Sequence, residues 1–256
     1  MKTTRLLPAV LALLVSFTIA QDNRLPPPAS LRGTQFDIGP RANLPARAAK
    51  SDLPFCPPKT CLYYAGDFDS NSPAANGLWN IDDMDFNAET WVGVRPAQSV
   101  LLTGVTFNQF LNNSQVGVNP TPFFVSAGVS SGNGGHLVCR TSGNATLTIY
   151  GQSDFGFTQY SYTIKKLSKA CQLRKNKIYF VNLWPIYNDG TTIGYVVDME
   201  DSPPPNHRGW KNVLDNSFFW SSYFGVNYQS TWGNSGACNG VGCDAFSIAL
   251  TGRKQP

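Results

Sequence analysis

Val100-Leu-Leu-Thr-Gly-Val-Thr-Phe107 sets the pattern of this chain: β-branched and aromatic side chains recur with a period of two, not 3.6. Runs of the same kind stand at 61–64, 123–129, 145–150, 160–164, 177–184, 192–197, 218–228 and 246–250. Turn-forming clusters separate them: Gly132-Asn133-Gly134-Gly135, Ser142-Gly143-Asn144, Asn188-Asp189-Gly190 and Gly233-Asn234-Ser235-Gly236. Short strands with Gly/Asn punctuation imply a sandwich or barrel. Charged residues are only 14% of the chain, Gly and Pro number 23 and 18, and no window sustains a helical apolar stripe. No repeat of propeller or solenoid period is present. The expectation is an all-β fold, an antiparallel two-sheet sandwich of jelly-roll-like form.

Working outward, the first twenty residues read as a secretory signal. Lys2 and Arg5 precede an apolar stretch from Leu6 to Ala20, and the small residues Thr18 and Ala20 stand before Gln21. The stretch is too short to read as a retained span, and no other segment is apolar enough to cross a bilayer. Residues 21–55 hold Pro26, Pro27, Pro28, Pro40, Pro45 and Pro54 with almost no periodic apolar residues. Such a segment cannot bury enough surface to offset its ordering entropy, so it reads as a disordered linker or pro-segment. The folded domain then spans 56–252, with 253–256 as a tail. Residues 56–256 carry thirteen basic and thirteen acidic side chains, and this balance lacks the positive field that nucleic-acid binding needs.

Six cysteines in an exported chain argue for disulfides. Cys56-Pro-Pro-Lys-Thr-Cys61 and Cys238-Asn-Gly-Val-Gly-Cys243 enclose turn-forming residues. Local closure of each is the simplest solution among fifteen possible pairings, and it leaves Cys139 for Cys171. Zinc would need C-x2-C or histidine partners at ligand spacing, and neither occurs.

Several short stretches carry a resemblance. They are Tyr64-Ala-Gly-Asp-Phe-Asp-Ser-Asn71 with Ala75-Asn76-Gly77-Leu78, Gly128-Val-Ser-Ser-Gly-Asn-Gly-Gly135, Phe218-Phe-Trp-Ser-Ser-Tyr-Phe-Gly-Val-Asn-Tyr228 and Asp244-Ala-Phe-Ser-Ile-Ala-Leu-Thr-Gly252. Together they resemble a poorly characterised group of secreted β-sandwich proteins found in bacteria, over most of 61–252. The resemblance implies the fold and an exported location and brings no activity or catalytic residue with it. Residues 21–55 and the Cys56–Cys61 pair stand outside its pattern.

Gly128-Val-Ser130-Ser-Gly132 matches G-x-S-x-G, with Asp198 or Asp201 and His207 following in hydrolase order. That elbow requires a strand turning into a helix. Here the serine runs into Gly-Asn-Gly-Gly, which a hairpin loop explains. On a strand, Asp198 and Glu200 would share one face roughly 6–7 Å apart, near the spacing of a glycosidase carboxylate pair. They run directly into Ser202-Pro203-Pro204-Pro205, as loop acids would. Asp67, Asp69 and Asn71 begin like a calcium loop, but Ser72 and Leu78 stand where an EF-hand needs Gly and Glu. A structural calcium ion in another geometry is the one cofactor these oxygens suit. Lys165, Lys166, Lys169, Arg174, Lys175 and Lys177 form a basic cluster that fits a solvated linker or an anionic surface.

Aromatic residues are abundant, and Trp79, Tyr187, Trp210 and Trp232 lie in turn-rich segments among Asn, Gly, Pro and Asp. Exposed rings there would stack on sugar faces. Asn112-Asn-Ser114 and Asn144-Ala-Thr146 are glycosylation sequons in a eukaryotic source. The leading expectation is a secreted, non-catalytic binding or surface-interaction domain for glycans or a cell-surface polymer. The rivals are a hydrolase using Asp198 and Glu200, and a structural extracellular protein without a small ligand.

Overall fold

The protein is described by a computed structural model covering residues 56, 57, 59–65, 79–83, 87–113, 116–154, 157–189, 191, 192, 194–197, 217–223, 225–230 and 246–255. The expected signal (1–20), the Pro-rich segment (21–55) and Cys238–Cys243 lie outside these residues. All regular structure among them is extended, in fourteen strands: β1 (Cys61–Tyr64), β2 (Trp79–Ile81), β3 (Ala88–Val94), β4 (Val100–Leu111), β5 (Thr121–Ala127), β6 (His136–Gly143), β7 (Ala145–Asp154), β8 (Phe157–Ile164), β9 (Cys171–Leu173), β10 (Tyr179–Leu183), β11 (Gly194–Val197), β12 (Phe218–Ser221), β13 (Val226–Ser230) and β14 (Ile248–Lys254). No helix among the described residues is long and apolar enough to cross a membrane.

The strands form two antiparallel sheets that do not close into a barrel. One has eight strands built on β4, which pairs with β14 and β11 on one side and with β8 and β9 on the other. The other has six, in the order β13-β12-β3-β10-β5-β6. Early strands pair with late ones (β1 with β14, β2 with β11, β3 with β10 and β12), which gives the jelly-roll-like winding. Strand alternation fills the space between the sheets. Val105, Phe107, Tyr162 and Ile248 from the eight-stranded sheet meet Val92, Phe123, Val125 and Val181 from the other, all at most 1% exposed.

Both disulfides within the described residues follow the expected pairing. Cys56–Cys61 closes a five-residue separation beside β1, and Cys139–Cys171 joins β6 of the six-stranded sheet to β9 of the eight-stranded one. Oxidised cysteines of this kind belong to an oxidising, extracellular-type compartment.

Several boundaries differ from the sequence reading, among them the following. The run 218–228 is not one strand: it folds into the β12–β13 hairpin, turning through Gly225 at φ 68°. The strand β3, absent from the list of apolar runs, is central in its sheet. The last strand runs to Lys254, two residues into the expected tail, and Gln255 N–H still donates to Ser99 O at 2.9 Å.

Cys139–Cys171 links the sheets across 32 residues, and a loop of that length restricts the unfolded chain by about 3–4 kcal/mol. Replacing both cysteines by alanine is expected to lower stability by that amount in urea unfolding, against about 2 kcal/mol for the Cys56/Cys61 pair. Equal losses would show that the inter-sheet link acts as a local clip.

Candidate functional site

Neighbouring large residues within one strand must point to opposite faces. Phe123 and Phe124, Tyr179 and Phe180, and Trp91 and Val92 are such pairs, so the six-stranded sheet carries apolar side chains on both faces. The outward set forms a second cluster of Trp91, Val129, Phe180 and Phe218, with Phe124 and Tyr228 packed against it. Cross-strand register sets the geometry: Phe218 lies opposite Trp91, and Trp220 opposite Glu89. Phe180 and Phe218 meet edge to face at 5.6 Å, Phe124 and Trp184 at 5.8 Å, and Trp220 and Tyr228 lie 6.3 Å apart. Arg140 stacks over Phe124 at 5.5 Å.

The 128–135 loop covers part of this face. Val129 anchors it in the aromatic cluster, while Gly132 N–H donates to the carbonyls of Asn227 and Tyr228 at 3.2 and 3.3 Å. Ser130 and Asn133 exchange backbone hydrogen bonds across the tip. This is the loop containing the G-x-S-x-G match. It connects two antiparallel strands, β5 and β6, so Ser130 sits at a hairpin tip with no helix behind it. Gly134 packs directly on the Tyr228 phenol, and a Cβ there would overlap the ring. Tyr228 itself adopts φ 46°, a left-handed conformation uncommon for a bulky residue and often found at functional positions.

Beside the loop remain Glu89, Trp220 and Tyr228, each half-buried. Trp91 Nε1 donates to Glu89 Oε2 at 2.6 Å. Burial raises the Glu89 carboxyl above the ordinary carboxylate range, against the pull of that indole donor. Burial, with the Glu89 charge adding to it, also raises the Tyr228 hydroxyl. A half-buried carboxylate with a perturbed proton affinity, flanked by partly exposed rings, is a ligand-site arrangement.

A second acidic feature lies behind this face. Asp82 leaves β2, and its N–H donates to Gly194 O of the eight-stranded sheet at 3.0 Å. Its Oδ1 accepts from Thr90 N–H at 3.1 Å and Asn182 Nδ2 at 2.7 Å, in the six-stranded sheet. The carboxyl thus ties the two sheets together where the β3–β10 ladder stops. Asp82 Oδ2 and Asn182 Oδ1, both buried, find no donor. Burial pushes the Asp82 carboxyl well above its usual range. The Thr90 and Asn182 hydrogen bonds oppose this, and the charges of Glu89 and Asp83 reinforce it. A proton on Oδ2 supplies a donor that the described residues around it lack.

The eight-stranded sheet has a groove of ≈ 500 Å³ on its outer face, with a lining that includes Thr106, Thr146, Thr148, Ser161, Thr163 and Lys165. No aromatic ring among the described residues lines it, and its hydroxyls partly pair with one another or with near neighbours. Thr106 and Thr163 share a hydrogen bond of 3.0 Å, and Ser161 donates to Asn108 at 2.8 Å.

Of the rings chosen from sequence, Tyr187 is a correction. It is 6% exposed and packed in the main core, with its hydroxyl 3.5 Å from Gln109 Oε1, so it offers no face for stacking. The backbone of Trp79 lies in β2. Trp210 and Trp232 lie outside the described residues, as do Asp198 and Glu200 and the calcium candidates Asp67, Asp69 and Asn71. Among the described residues no group of three or more His, Cys, Asp or Glu is placed to hold a metal ion. The basic side chains from Lys165 to Lys177 are all exposed. Asn112 and Asn144 are also exposed, Asn112 donating to Thr191 O at 2.6 Å and Asn144 standing between β6 and β7. Sequence reasoning missed Trp220 and Tyr228 as site residues. The available signal was the adjacency of large residues in strands, which marks a sheet covered on both faces.

No protein-family model, no curated protein and no solved structure matches this chain.

Two outcomes test this geometry. A folded-state carboxyl pKa raised above its unfolded value favours the native state below the unfolded value, and that benefit is lost as pH rises through the folded pKa. Unfolding titrations from pH 3 upward are therefore expected to show an Asp82 contribution lost with rising pH and absent in Asp82→Asn. Asp82→Ala, which strips partners from Thr90 and Asn182, is expected to cost about 1–3 kcal/mol per orphaned group; a pH profile identical in wild type and Asp82→Asn would contradict the assignment. Separately, Gly134→Ala is expected to displace the Tyr228 ring, seen as a changed near-ultraviolet circular dichroism signal, with the far-ultraviolet spectrum retained.

Proposed function

We propose that this chain is a secreted, non-catalytic binding module that takes carbohydrate on the outer aromatic face of the six-stranded sheet. The observation that carries this reading is the corner formed by Glu89, Trp220 and Tyr228. Rings offer flat apolar surfaces for the C–H face of a sugar, and a carboxylate accepts from its hydroxyls. Tyr228 is held there by a left-handed backbone and by Gly134 against its phenol, so the ring is preorganised rather than recruited on binding. Export is supported by the sequence of the first twenty residues and by the inter-sheet disulfide.

A hydrolytic reading has one observation in its favour, the raised proton affinity of Glu89, which would suit a general acid. Glycoside hydrolysis needs a second carboxyl across the scissile bond. Among the described residues, the carboxyl that feels the charge of Glu89 is Asp82, which is fully buried and committed to Thr90 and Asn182. Binding without turnover is the better account.

Affinity electrophoresis through gels containing a panel of polysaccharides tests the proposal. Retardation by at least one polymer is expected, weakened about tenfold or more in Trp220→Ala, the effect of removing one anchoring ring. Retardation unchanged in both Trp220→Ala and Tyr228→Ala would place binding elsewhere, and new reducing ends lost in Glu89→Gln would favour the hydrolase.

A further inference from the structure

The charge of the same corner narrows its ligand. Glu89 has one hydrogen-bond donor, the Trp91 indole, and among the described residues no lysine, arginine or histidine pairs with it. Its carboxylate is half-buried beside Trp220, its cross-strand neighbour, and Tyr228, whose hydroxyl feels its charge. Arg140, a cation on this face, stacks instead on Phe124. A desolvated carboxylate without a counter-charge is costly. The π-faces of neighbouring aromatic rings are themselves electronegative and add to the same field. A site built this way disfavours sulfated or uronic sugars, which would place like charges in low dielectric. A neutral sugar leaves the carboxylate uncompensated. An ammonium group answers both features: it pairs with the carboxylate and presents its charge to the rings.

We infer that the corner selects an amine-bearing saccharide, an amino sugar whose ammonium group meets Glu89 between Trp220 and Tyr228 while its pyranose ring lies on the indole. This inference rests on the carbohydrate reading above and adds the chemistry of the substituent. The step is non-covalent; the amine remains protonated and Glu89 ionised in the complex. Among the described residues, the titratable groups around it are Tyr228 and, behind the sheet, Asp82 with its neighbour Asp83.

Isothermal titration of the full chain against three β-1,4-linked hexasaccharides (glucosamine, N-acetylglucosamine and glucose) separates the possibilities. The glucosamine oligomer is expected to bind about tenfold more tightly than either neutral one at pH 6.5, the scale of a partly desolvated cation–π and ion-pair contact. That preference is expected to shrink as the pH is lowered and Glu89 takes up a proton, since the sugar amine only gains charge over the same range and so cannot itself cause the loss. Glu89→Gln, which keeps an acceptor for the Trp91 indole, is expected to bring the amine oligomer to the affinity of the acetylated one. The pH series on the unaltered protein decides the matter if that variant does not fold. Equal affinity for all three sugars, or an amine preference that survives at low pH and in Glu89→Gln, overturns this inference and leaves the carbohydrate reading standing. Binding to none of the three or to any polysaccharide panel overturns both.

Discussion

Covering both faces of the six-stranded sheet is the constraint from which the rest of the structure follows. Its inner face is met by the eight-stranded sheet through Val92, Phe123, Val125 and Val181. Its outer face, bearing Trp91, Phe180 and Phe218, has no second sheet in the described structure and is covered in part by the 128–135 loop, with Val129 inserted among the rings. Burying an aromatic ring is worth a few kcal/mol by area, so a loop that seals three of them has a reason to cross the sheet. A single loop is narrower than the face it covers, and the uncovered margin is where Glu89, Trp220 and Tyr228 are half-exposed. The candidate site is thus the edge of a packing solution.

The sandwich is also held by two links that cross between the layers. Cys139–Cys171 is covalent and joins β6 to β9. Asp82 is polar: its backbone belongs with β11 and its carboxyl with Thr90 and Asn182. Such a side chain satisfies backbone groups where the β3–β10 ladder ends, which an apolar residue could not do. Protonation lets it do so without an uncompensated buried charge. Glu89, seven residues along, faces the opposite balance: it is partly solvated and therefore available to pair with something from outside.

How far the residues announce this arrangement depends on how each strand is exposed. The segment 61–64 and the central 100–107 stretch are legible because alternation between a core face and a polar face gives a clean period of two. The strand Ala88–Val94 escapes because it is covered on both sides, so Glu89, Trp91 and Gly93 interrupt the alternation. His136–Gly143 escapes for the opposite reason: His136, Leu137 and Val138 are exposed at the sheet margin, and no apolar face is required. The 218–228 segment reads as one run because Gly225 alone marks its turn. The two described disulfides were readable because local closure of both C-x4-C pairs leaves Cys139 only Cys171. The site was not, because loop-borne rings such as Tyr187 look exposed in sequence, and only tertiary packing puts that ring inside and the strand-borne Trp220 at the surface.

The outer faces of the two sheets offer different chemistry, and the difference argues for the aromatic one. On the eight-stranded sheet, the Thr106 and Thr163 hydroxyls hydrogen-bond to each other and Ser161 donates to Asn108 across strands, so a ligand would have to break those contacts to gain equivalent ones, with little net return. On the six-stranded sheet, the ring faces and the Glu89 carboxylate hold potential that the protein itself leaves unused. A ligand arriving there exchanges water for apolar contact and supplies the missing counter-charge, with no internal bond to be broken except the single donor from Trp91. Recognition is favoured where the folded chain is least self-satisfied, and within the described structure that place is the uncovered margin beside the 128–135 loop.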